Sequence, residues 1–493
     1  MSAPAAATAA AARGLGRRAL FLGAANAFDY AVQFLLPVVL VRCLDTEAFG
    51  QYRLLWLALG TVMATATLAM PASLYYYLPR SEPATRRLYV NQTLVFLVLA
   101  GAISAWAVSA WNPWLPDKMR LLTQHGPVVP AFVLLWVVAS LLDLLPTIEE
   151  RVLWQGKATV GLAALRGATL SAVAALTHDV AAVLLVLVAF VLFKLAVLLA
   201  YIAKYHGLRG PWLHRAAFVD QLRYATPFGT AGALYELRVQ ADQWIAAALF
   251  SLGSFAAFSI AGSLGPLVHL FRKSVNYAFL SSMSRLQAAG DIRGMIDLNS
   301  RANVMVGALI IPLLAFAFVF ARELVTLVYT AAYVEAVPVM RLYITGLAAL
   351  VVELASITFL LRQGMFVIRL NLAALAVAVA LSWIAARQFG LAGAAAGGVA
   401  VIYLDRIATL WRISRRTGVA VRNLQNWRTL ALLALSAACA AAFAWSLVGR
   451  YLPGSAALAR MSVGAVLLGT AYAAMVALLL PRRALARAAL GNR

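Results

Sequence analysis

The chain has 493 residues, of which 63% are hydrophobic and only 12% are charged, and its mean hydropathy is +0.85. Because a soluble domain carries about twice that share of charged residues, this composition excludes a soluble globular protein and indicates a helical protein that crosses the membrane many times. The formal net charge of +23 does not indicate nucleic-acid binding, since no cluster of basic and aromatic residues accompanies it. With only Cys43 and Cys439, and with histidines at no metal-binding spacing, neither a disulfide framework nor a metal site is expected.

The chain opens with an Ala-rich stretch, residues 1–13, which lacks the apolar core of a cleavable signal peptide. We expect it to be a cytoplasmic tail, followed by a first span that acts as its own insertion signal. Beyond it, long apolar runs predict an all-α polytopic protein with about fourteen transmembrane helices. The predicted spans are residues 20–41, 54–78, 88–111, 127–148, 158–176, 180–203, 224–250, 255–281, 302–321, 338–361, 366–386, 391–411, 428–448 and 458–480.

Lys and Arg residues are distributed unevenly over the connections between these spans. If the N-terminus is cytoplasmic, the connections and tails on that side hold about three times as many of them as the outer connections. This bias predicts that both termini lie in the cytoplasm, together with the basic connection at residues 204–223.

Three segments recur at a spacing of about 210 residues, which indicates an internal duplication. The pairs are residues 44–52 and 250–258, residues 154–157 and 362–365, and residues 180–182 and 391–393. In the first pair, LDTEAFGQY and FSLGSFAAF, each segment closes one apolar helix and opens another. A duplicated block in a membrane chain is typical of a secondary transporter, in which two similar bundles alternate about a central site.

The duplication predicts two pseudo-symmetric lobes of six helices each. The N-lobe covers residues 14–210, the C-lobe covers residues 211–418, and residues 419–493 add two transmembrane helices and a basic cytoplasmic tail. No predicted connection is longer than about 20 residues, whereas a soluble domain needs at least about 50. A nucleotide-binding cassette is therefore excluded, and no G-x-x-x-x-G-K-[ST] loop occurs in the sequence.

Four segments carry a resemblance to a known family. They are the turn at residues 44–52, the Tyr-rich exit of the second span at residues 74–79, the outer segment at residues 327–336, and the FGLAGAA run at residues 389–395. Together they resemble the Wzx-type flippases of polysaccharide biosynthesis, which export O-antigen and exopolysaccharide units. These flippases belong to the multidrug/oligosaccharidyl-lipid/polysaccharide (MOP) exporter superfamily, as do the MATE transporters. The resemblance covers residues 14–418.

The resemblance implies a MATE/MOP-like fold in the bacterial inner membrane, with two lobes forming a V around a cationic cavity. It also implies that the chain moves an undecaprenyl-pyrophosphate-linked oligosaccharide from the inner to the outer leaflet. Membrane lipids, a polysaccharide polymerase and a chain-length regulator would be its further partners. With fourteen predicted spans instead of the commoner twelve, the chain is similar to the peptidoglycan-precursor flippases. In those flippases two extra helices form a lipid-facing groove.

Acidic residues at membrane depth are the first candidate functional residues, because each costs at least about 2.5–3.5 kcal/mol to insert. In the first span Asp29 shares a polar stripe with Gln33, and in the seventh span Glu236 and Asp242 lie on opposite faces. We expect Asp29, Glu236 and Asp242 to couple transport to H⁺ or Na⁺, without any other cofactor. The alternatives are that the stripe only holds helices together, and that Arg238 and Asp242, four residues apart, neutralise each other.

Basic residues in or near the spans are the candidate ligands of an anionic head group, because guanidinium and ammonium groups bind phosphates. They are Arg53, Arg166, Lys194, Arg238, Arg272, Lys273 and Arg406. For Arg53, Arg272 and Lys273 the alternative is that the side chain reaches out to the membrane surface. For Arg166, near the middle of its span, the alternative is an ion pair with Asp143 or Glu149.

These patterns favour a secondary transporter that flips a lipid-linked oligosaccharide by alternating access, and not an enzyme. One alternative is a MATE-like antiporter of drugs or organic cations. Such an antiporter favours an acidic cavity, whereas the candidate residues of this chain are of both signs and mostly basic. Another is a membrane O-antigen polymerase or ligase, but such enzymes lack an internal duplication and have a large outer loop. A scaffold without transport would leave the charges at membrane depth without a purpose.

Overall fold

The chain is all-α in a computed structural model, with α-helices and short 3-10 helices along its described part. The structure describes residues 3–207 and 210–479, and their side chains apart from those of residues 3–19, 83, 84, 267, 270, 273, 274 and 277. The predicted all-α membrane fold is thus confirmed. The basic tail beyond residue 479 and the side chain of Lys273 lie outside the described residues.

The helices group into two compact units, Met1–Leu237 and Arg238–Arg493, so the division falls inside the tenth helix. The first unit contains α1 (Ala3–Cys43), α2 (Thr46–Ala66), α3 (Met70–Tyr77), α4 (Pro83–Ala107), α5 (Asp117–Thr123), α6 (Val128–Ala139), α7 (Leu145–Ile148), α8 (Val152–Thr177), α9 (Val180–Tyr205) and the first part of α10 (Arg215–Leu249). The second unit contains the rest of α10, α11 (Leu252–Ala261), α12 (Gly265–Ala288), α13 (Ile292–Val319), α14 (Ala321–Tyr329), α15 (Ala336–Ala349), α16 (Ala355–Leu360), α17 (Gly364–Thr417), α18 (Trp427–Tyr451) and α19 (Ala457–Leu479).

Within the described ranges, nine helices are long and apolar enough to cross a membrane, or ten if the bent pair α2–α3 is one span. The count is lower than fourteen for three reasons. With Glu236, Arg238 and Asp242, α10 is too polar to be counted as a membrane-spanning helix by its composition. The helices α11 and α15 are short pieces of interrupted spans. The 54-residue α17 also contains two predicted spans. Each predicted span overlaps at least one helix, and the count of fourteen is approximate.

The first repeated segment forms the same local structure in both units. In the first unit, the carboxylate of Asp45 caps α2 by accepting from the N–H of Ala48 at 2.7 Å. In the second, the hydroxyl of Ser251 caps α11 by accepting from the N–H of Ser254 at 3.1 Å. Such a cap satisfies an N–H group that the helix itself leaves without an acceptor. The sequence repeat therefore marks equivalent helix starts.

The FGLAGAA run forms the turn of a tight helical hairpin within α17. Gly390 breaks the helix with φ 64° and ψ −147°, a conformation open mainly to glycine. After the break, the chain packs closely against its first half: a β-carbon on Gly393 would lie 1.9 Å from the carbonyl oxygen of Ala385, and one on Gly397 would lie 2.3 Å from the nitrogen of Ser382. Small residues four apart allow this close backbone approach, as in other membrane helices.

Candidate functional site

A cavity of about 150 Å³ lies inside the first unit, at the level where α1, α8 and α9 meet the end of α6. This volume is large enough for several water molecules. Four charged side chains line the cavity, and Trp136 adds an aromatic surface. They are Asp29, Asp143, Arg166 and Lys194. Three residues from the predicted site, Asp29, Arg166 and Lys194, are therefore brought together here.

The charges of this first-unit cavity form two ion pairs. An Nη atom of Arg166 lies 2.9 Å from Asp29, and Nζ of Lys194 lies 2.8 Å from Asp143. Gln33 also donates to Asp29 at 2.7 Å. Since each cation has its own carboxylate, the cavity is balanced in formal charge, which is how buried charges are normally tolerated.

Lys194 is held more tightly than its partner. Its side chain is 7% exposed and its Nζ lies 5.0 Å from the centroid of the Trp136 ring, whereas the side chain of Asp143 is 57% exposed. The lysine is thus fixed by a carboxylate and a cation–π contact, and the carboxylate can still contact other polar groups. A cavity with carboxylates, amides and an aromatic ring can hydrogen-bond and stack against a polar, uncharged ligand.

In the second unit two arginines contact a single carboxylate, and a third donates to other groups. Arg238 of α10 contacts Asp405 of α17 at 3.2 Å, and Arg406 contacts the same carboxylate at 3.3 Å. Arg272 of α12 donates to the carbonyl of Leu350 and, at 3.2 Å, to Nδ1 of His269. We call Arg238, Arg272 and Arg406 the arginine group. The three side chains of this group carry positive formal charge, and the carboxylate of Asp405 contacts two of them.

The arginine group is attached to an interrupted helix. Residues 350–354 between α15 and α16 are not helical. Arg272 donates to the carbonyl of Leu350 at 3.0 Å, and Arg406 donates to that of Val352 at 3.1 Å. The interruption frees these carbonyls from helical bonding, and the two arginines satisfy them.

Two candidate acids lie apart from these groups. Asp242 is 5% exposed and accepts from the hydroxyl of Tyr343 at 2.9 Å and from the N–H of Gln243 at 2.8 Å. A β-carbon on Gly398 would lie 2.4 Å from its carboxylate, so α17 also packs directly on this side chain. Glu236 is half-buried on α10, and its carboxylate forms no hydrogen bond or ion pair with the described side chains.

Two pairings considered from the sequence are wrong. Arg238 and Asp242 do not neutralise each other, because Arg238 reaches Asp405 and Asp242 reaches Tyr343. Arg166 pairs with neither Asp143 nor Glu149, because α8 packs along α1 and places Asp29 beside it. A spacing of four residues along a helix permits contact between Arg238 and Asp242. Neighbouring helices, however, place a different partner beside each of them.

Two predicted basic residues remain, Arg53 and Lys273. Arg53 is half-buried in α2 and does not line the first-unit cavity. The side chain of Lys273, next to Arg272 on α12, is not described.

The sequence reading missed a buried polar cluster next to the arginine group. It consists of Asn299 and Asn303 of α13, Glu353 in the interruption, and Gln425 before α18. A signal was present, since Glu353 is an acid inside the predicted span 338–361 and the two asparagines are four residues apart. An acidic residue inside a membrane span, such as Glu353, is a functional candidate by default.

Solved structures with the same fold are transporters and flippases. The lipid II flippase MurJ, in an inward closed conformation, has a TM-score of 0.69 at 11% identity, covering 94% of this chain and all of that one. An inward-facing multidrug resistance MATE family transporter of the MOP superfamily has a TM-score of 0.59 at 12% identity, covering 79% and 96%. An outward-facing transporter of that kind has a TM-score of 0.54 at 16% identity, covering 81% and 96%. At such identities the likeness concerns the fold alone.

Sequence comparison adds the family. No curated protein sequence matches the chain. The model of one family, described as polysaccharide biosynthesis protein, matches residues 39–338. That match covers more than half of the chain, including two arginines of the arginine group and the lining of the first-unit cavity apart from Asp29 and Gln33. The chain is therefore a multi-pass membrane protein that belongs to the polysaccharide biosynthesis protein family, with the fold of the MOP superfamily.

Proposed function

We propose that the protein flips a lipid-linked oligosaccharide, with an undecaprenyl-pyrophosphate carrier, across the bacterial inner membrane by alternating access. A glycan with this carrier has an uncharged, hydroxyl-rich part and a strongly anionic part. The first-unit cavity, balanced in charge and lined by an aromatic ring, suits the former. The arginine group suits the latter, because guanidinium groups bind phosphate oxygens in a bidentate way.

The observation that carries this proposal is the charge of the arginine group. The guanidinium groups of Arg238 and Arg406 share the carboxylate of Asp405, and that of Arg272 donates to the carbonyl of Leu350 and to His269. The Nε–H of Arg406 is buried and donates to no acceptor in the described part of the chain. An antiporter of organic cations would have to bring a positive ligand towards this group, at a cost that grows in a medium of low dielectric constant. The arginine group therefore favours an anionic ligand over the organic cation that a drug antiporter would bind.

Export measurements test the proposal. In cells whose polysaccharide export depends on this chain, Arg406→Ala should lower export about 10–100-fold, the effect of losing a charge-assisted hydrogen bond in a buried site. Arg406→Lys should restore it only in part, since an ammonium group lacks the planar fork of donors. Arg387→Ala is the matched control, because Arg387 is an exposed residue of the same helix that stacks on Trp383. Normal export by Arg406→Ala at normal abundance would exclude the arginine group from the substrate path.

The proposed orientation places both termini and residues 204–223 in the cytoplasm, because the positively charged connections then lie inside. Single cysteines introduced into a variant without Cys43 and Cys439 should react at these positions only after the membrane has been permeabilised. Labelling of the C-terminus from the periplasm would mean an odd number of spans.

A further inference from the structure

We propose that the first-unit cavity selects neutral sugars and rejects acidic ones, and that Asp29 and Asp143 are the residues that determine this specificity. The inference rests on the proposed function, because it concerns the glycan part of the same substrate. It gives Arg166 and Lys194 a different role from the one that the sequence predicts: they hold the two carboxylates in place and do not bind the anionic head group.

The first step concerns which partner of each ion pair is accessible. The side chains of Arg166 and Lys194 are 10% and 7% exposed, whereas those of Asp29 and Asp143 are 29% and 57% exposed. All four line the same cavity. In both pairs the cation is therefore the buried partner, and a ligand in the cavity meets mainly carboxylate oxygens.

The second step concerns the hydrogen bonds that these carboxylates can still form. Asp29 accepts from Arg166 through one oxygen and from Gln33 through the other, at 2.9 and 2.7 Å. Asp143 accepts from Lys194 through Oδ2 at 2.8 Å, and its Oδ1 accepts no hydrogen bond from the described residues. An ionised carboxylate has about four acceptor sites and no donor. Both side chains can thus accept from the hydroxyl groups of a ligand.

The third step concerns charge. An acidic sugar would bring its own carboxylate beside that of Asp143, and like charges repel more strongly here than in bulk water because the surroundings have a lower dielectric constant. Lys194, which could offset the repulsion, is already held by Asp143 and by the ring of Trp136, whose centroid lies 5.0 Å from Nζ. A neutral sugar meets no such repulsion. A repulsive group of this kind gives specificity against the wrong ligand.

The fourth step concerns the wall of the cavity along α8. Six residues of this helix line the cavity at the spacing of a single helix face: Gln155, Ala158, Thr159, Leu162, Ala163 and Arg166. Because a helix rises 1.5 Å per residue, this face is about 16 Å long, and most of its middle consists of small side chains. Trp136 adds a partly exposed ring for the apolar side of a sugar. The wall is thus long enough for more than one sugar ring.

Binding of one glycan in two charge states to the purified full-length protein tests this inference. The first probe is the oligosaccharide released by mild acid from the lipid carrier that accumulates in cells without this chain. The second is the same oligosaccharide after its primary hydroxyl groups have been oxidised to carboxylates. The wild type should bind the oxidised form at least about tenfold more weakly, because each oxidised sugar brings a negative charge towards the two carboxylates.

Two variants and a control assign the effect to Asp143. Asp143→Asn should remove most of the preference, because the amide can still accept from Lys194 but no longer repels an anion. The double variant Asp143→Ala with Lys194→Met should raise the Kd of the untreated form about tenfold, and it leaves neither charge of the pair unpartnered in the folded protein. Asp117→Ala is the matched control, because Asp117 is paired with Arg120 outside the cavity, and both Kd values should stay unchanged.

The outcomes separate this inference from the proposed function. If the wild type binds both forms equally well, or if Asp143→Asn keeps the full preference, the specificity role is wrong. Loss of inorganic pyrophosphate binding in Arg406→Ala would in that case still support the anion site of the proposed function. If Arg406→Ala binds pyrophosphate as the wild type does while the glycan results are as expected, the anion site fails and the selection of neutral sugars stands. A wild type that binds neither form of the glycan overturns the inference.

Discussion

Gly393→Ala should remove most of the folded protein from the membrane. The new β-carbon would lie 1.9 Å from the carbonyl oxygen of Ala385, and backbone atoms of a packed helix cannot move aside as a flexible side chain can. Extra methylene groups in a packed core cost about 1–3 kcal/mol, and this overlap is more severe than most. Because folded proteins are stable by only about 5–15 kcal/mol, such a cost is a large part of the total. We expect a lower midpoint of thermal unfolding in detergent and a lower abundance in membranes.

A second glycine serves as the matched control. Among the described residues, no atom beyond the nearby turns of its own helix lies within 4 Å of where a β-carbon on Gly469 of α19 would be. Gly469→Ala should therefore be neutral or slightly stabilising, because alanine favours a helix over glycine by about 1 kcal/mol. Equal unfolding midpoints for the two alanine variants would contradict the tight hairpin in α17.

Asp242→Asn should abolish the response of flipping to an imposed H⁺ or Na⁺ gradient. Asp242 is the most buried of the three candidate acids, and a tyrosine hydroxyl and a backbone N–H hold it, with no ion pair to any side chain that the structure describes. A buried carboxylate without a cation is costly, so a proton or a sodium ion should bind there with a large effect on the local energy. Moving one charge through 100 mV supplies about 2.3 kcal/mol, which changes an equilibrium roughly 40-fold.

Proteoliposomes with a lipid-linked oligosaccharide allow this measurement. The wild type should flip faster under one of the two gradients, whereas Asp242→Asn should flip at the same rate with or without it and still bind pyrophosphate. Asp29→Asn should act differently, because it leaves Arg166 without its carboxylate and so perturbs the first-unit cavity. Glu236→Gln tests the half-buried acid of α10. If neither gradient matters and no substitution has an effect, the protein is a passive facilitator and these acids only hold helices together.

The class of the fold was predictable because its causes are local. Long apolar runs predict membrane helices without any knowledge of their neighbours, since the lipid is the solvent for all of them. The repeat at residues 44–52 and 250–258 was visible for the same reason, because a helix cap such as Asp45 or Ser251 acts on the next turn of its own helix. Interruptions were less predictable: the apolar run at residues 338–361 predicts one helix, although the chain leaves helical geometry at residues 350–354.

The amino-acid sequence by itself determined that the protein lies in the membrane, that it is duplicated, and that charges lie at membrane depth. Only the tertiary structure decided which charges meet. Arg166 found Asp29 on another helix, 137 positions away, and Arg238 found Asp405 at a separation of 167 instead of Asp242 one turn further along. The physical reason is that an ion pair forms only when the two charged groups lie within a few ångströms of each other. Hydrophobicity and helix spacing restrict only the depth and the face of a side chain. Which carboxylate reaches Arg166, and which reaches Arg238, therefore depends on how the helices pack.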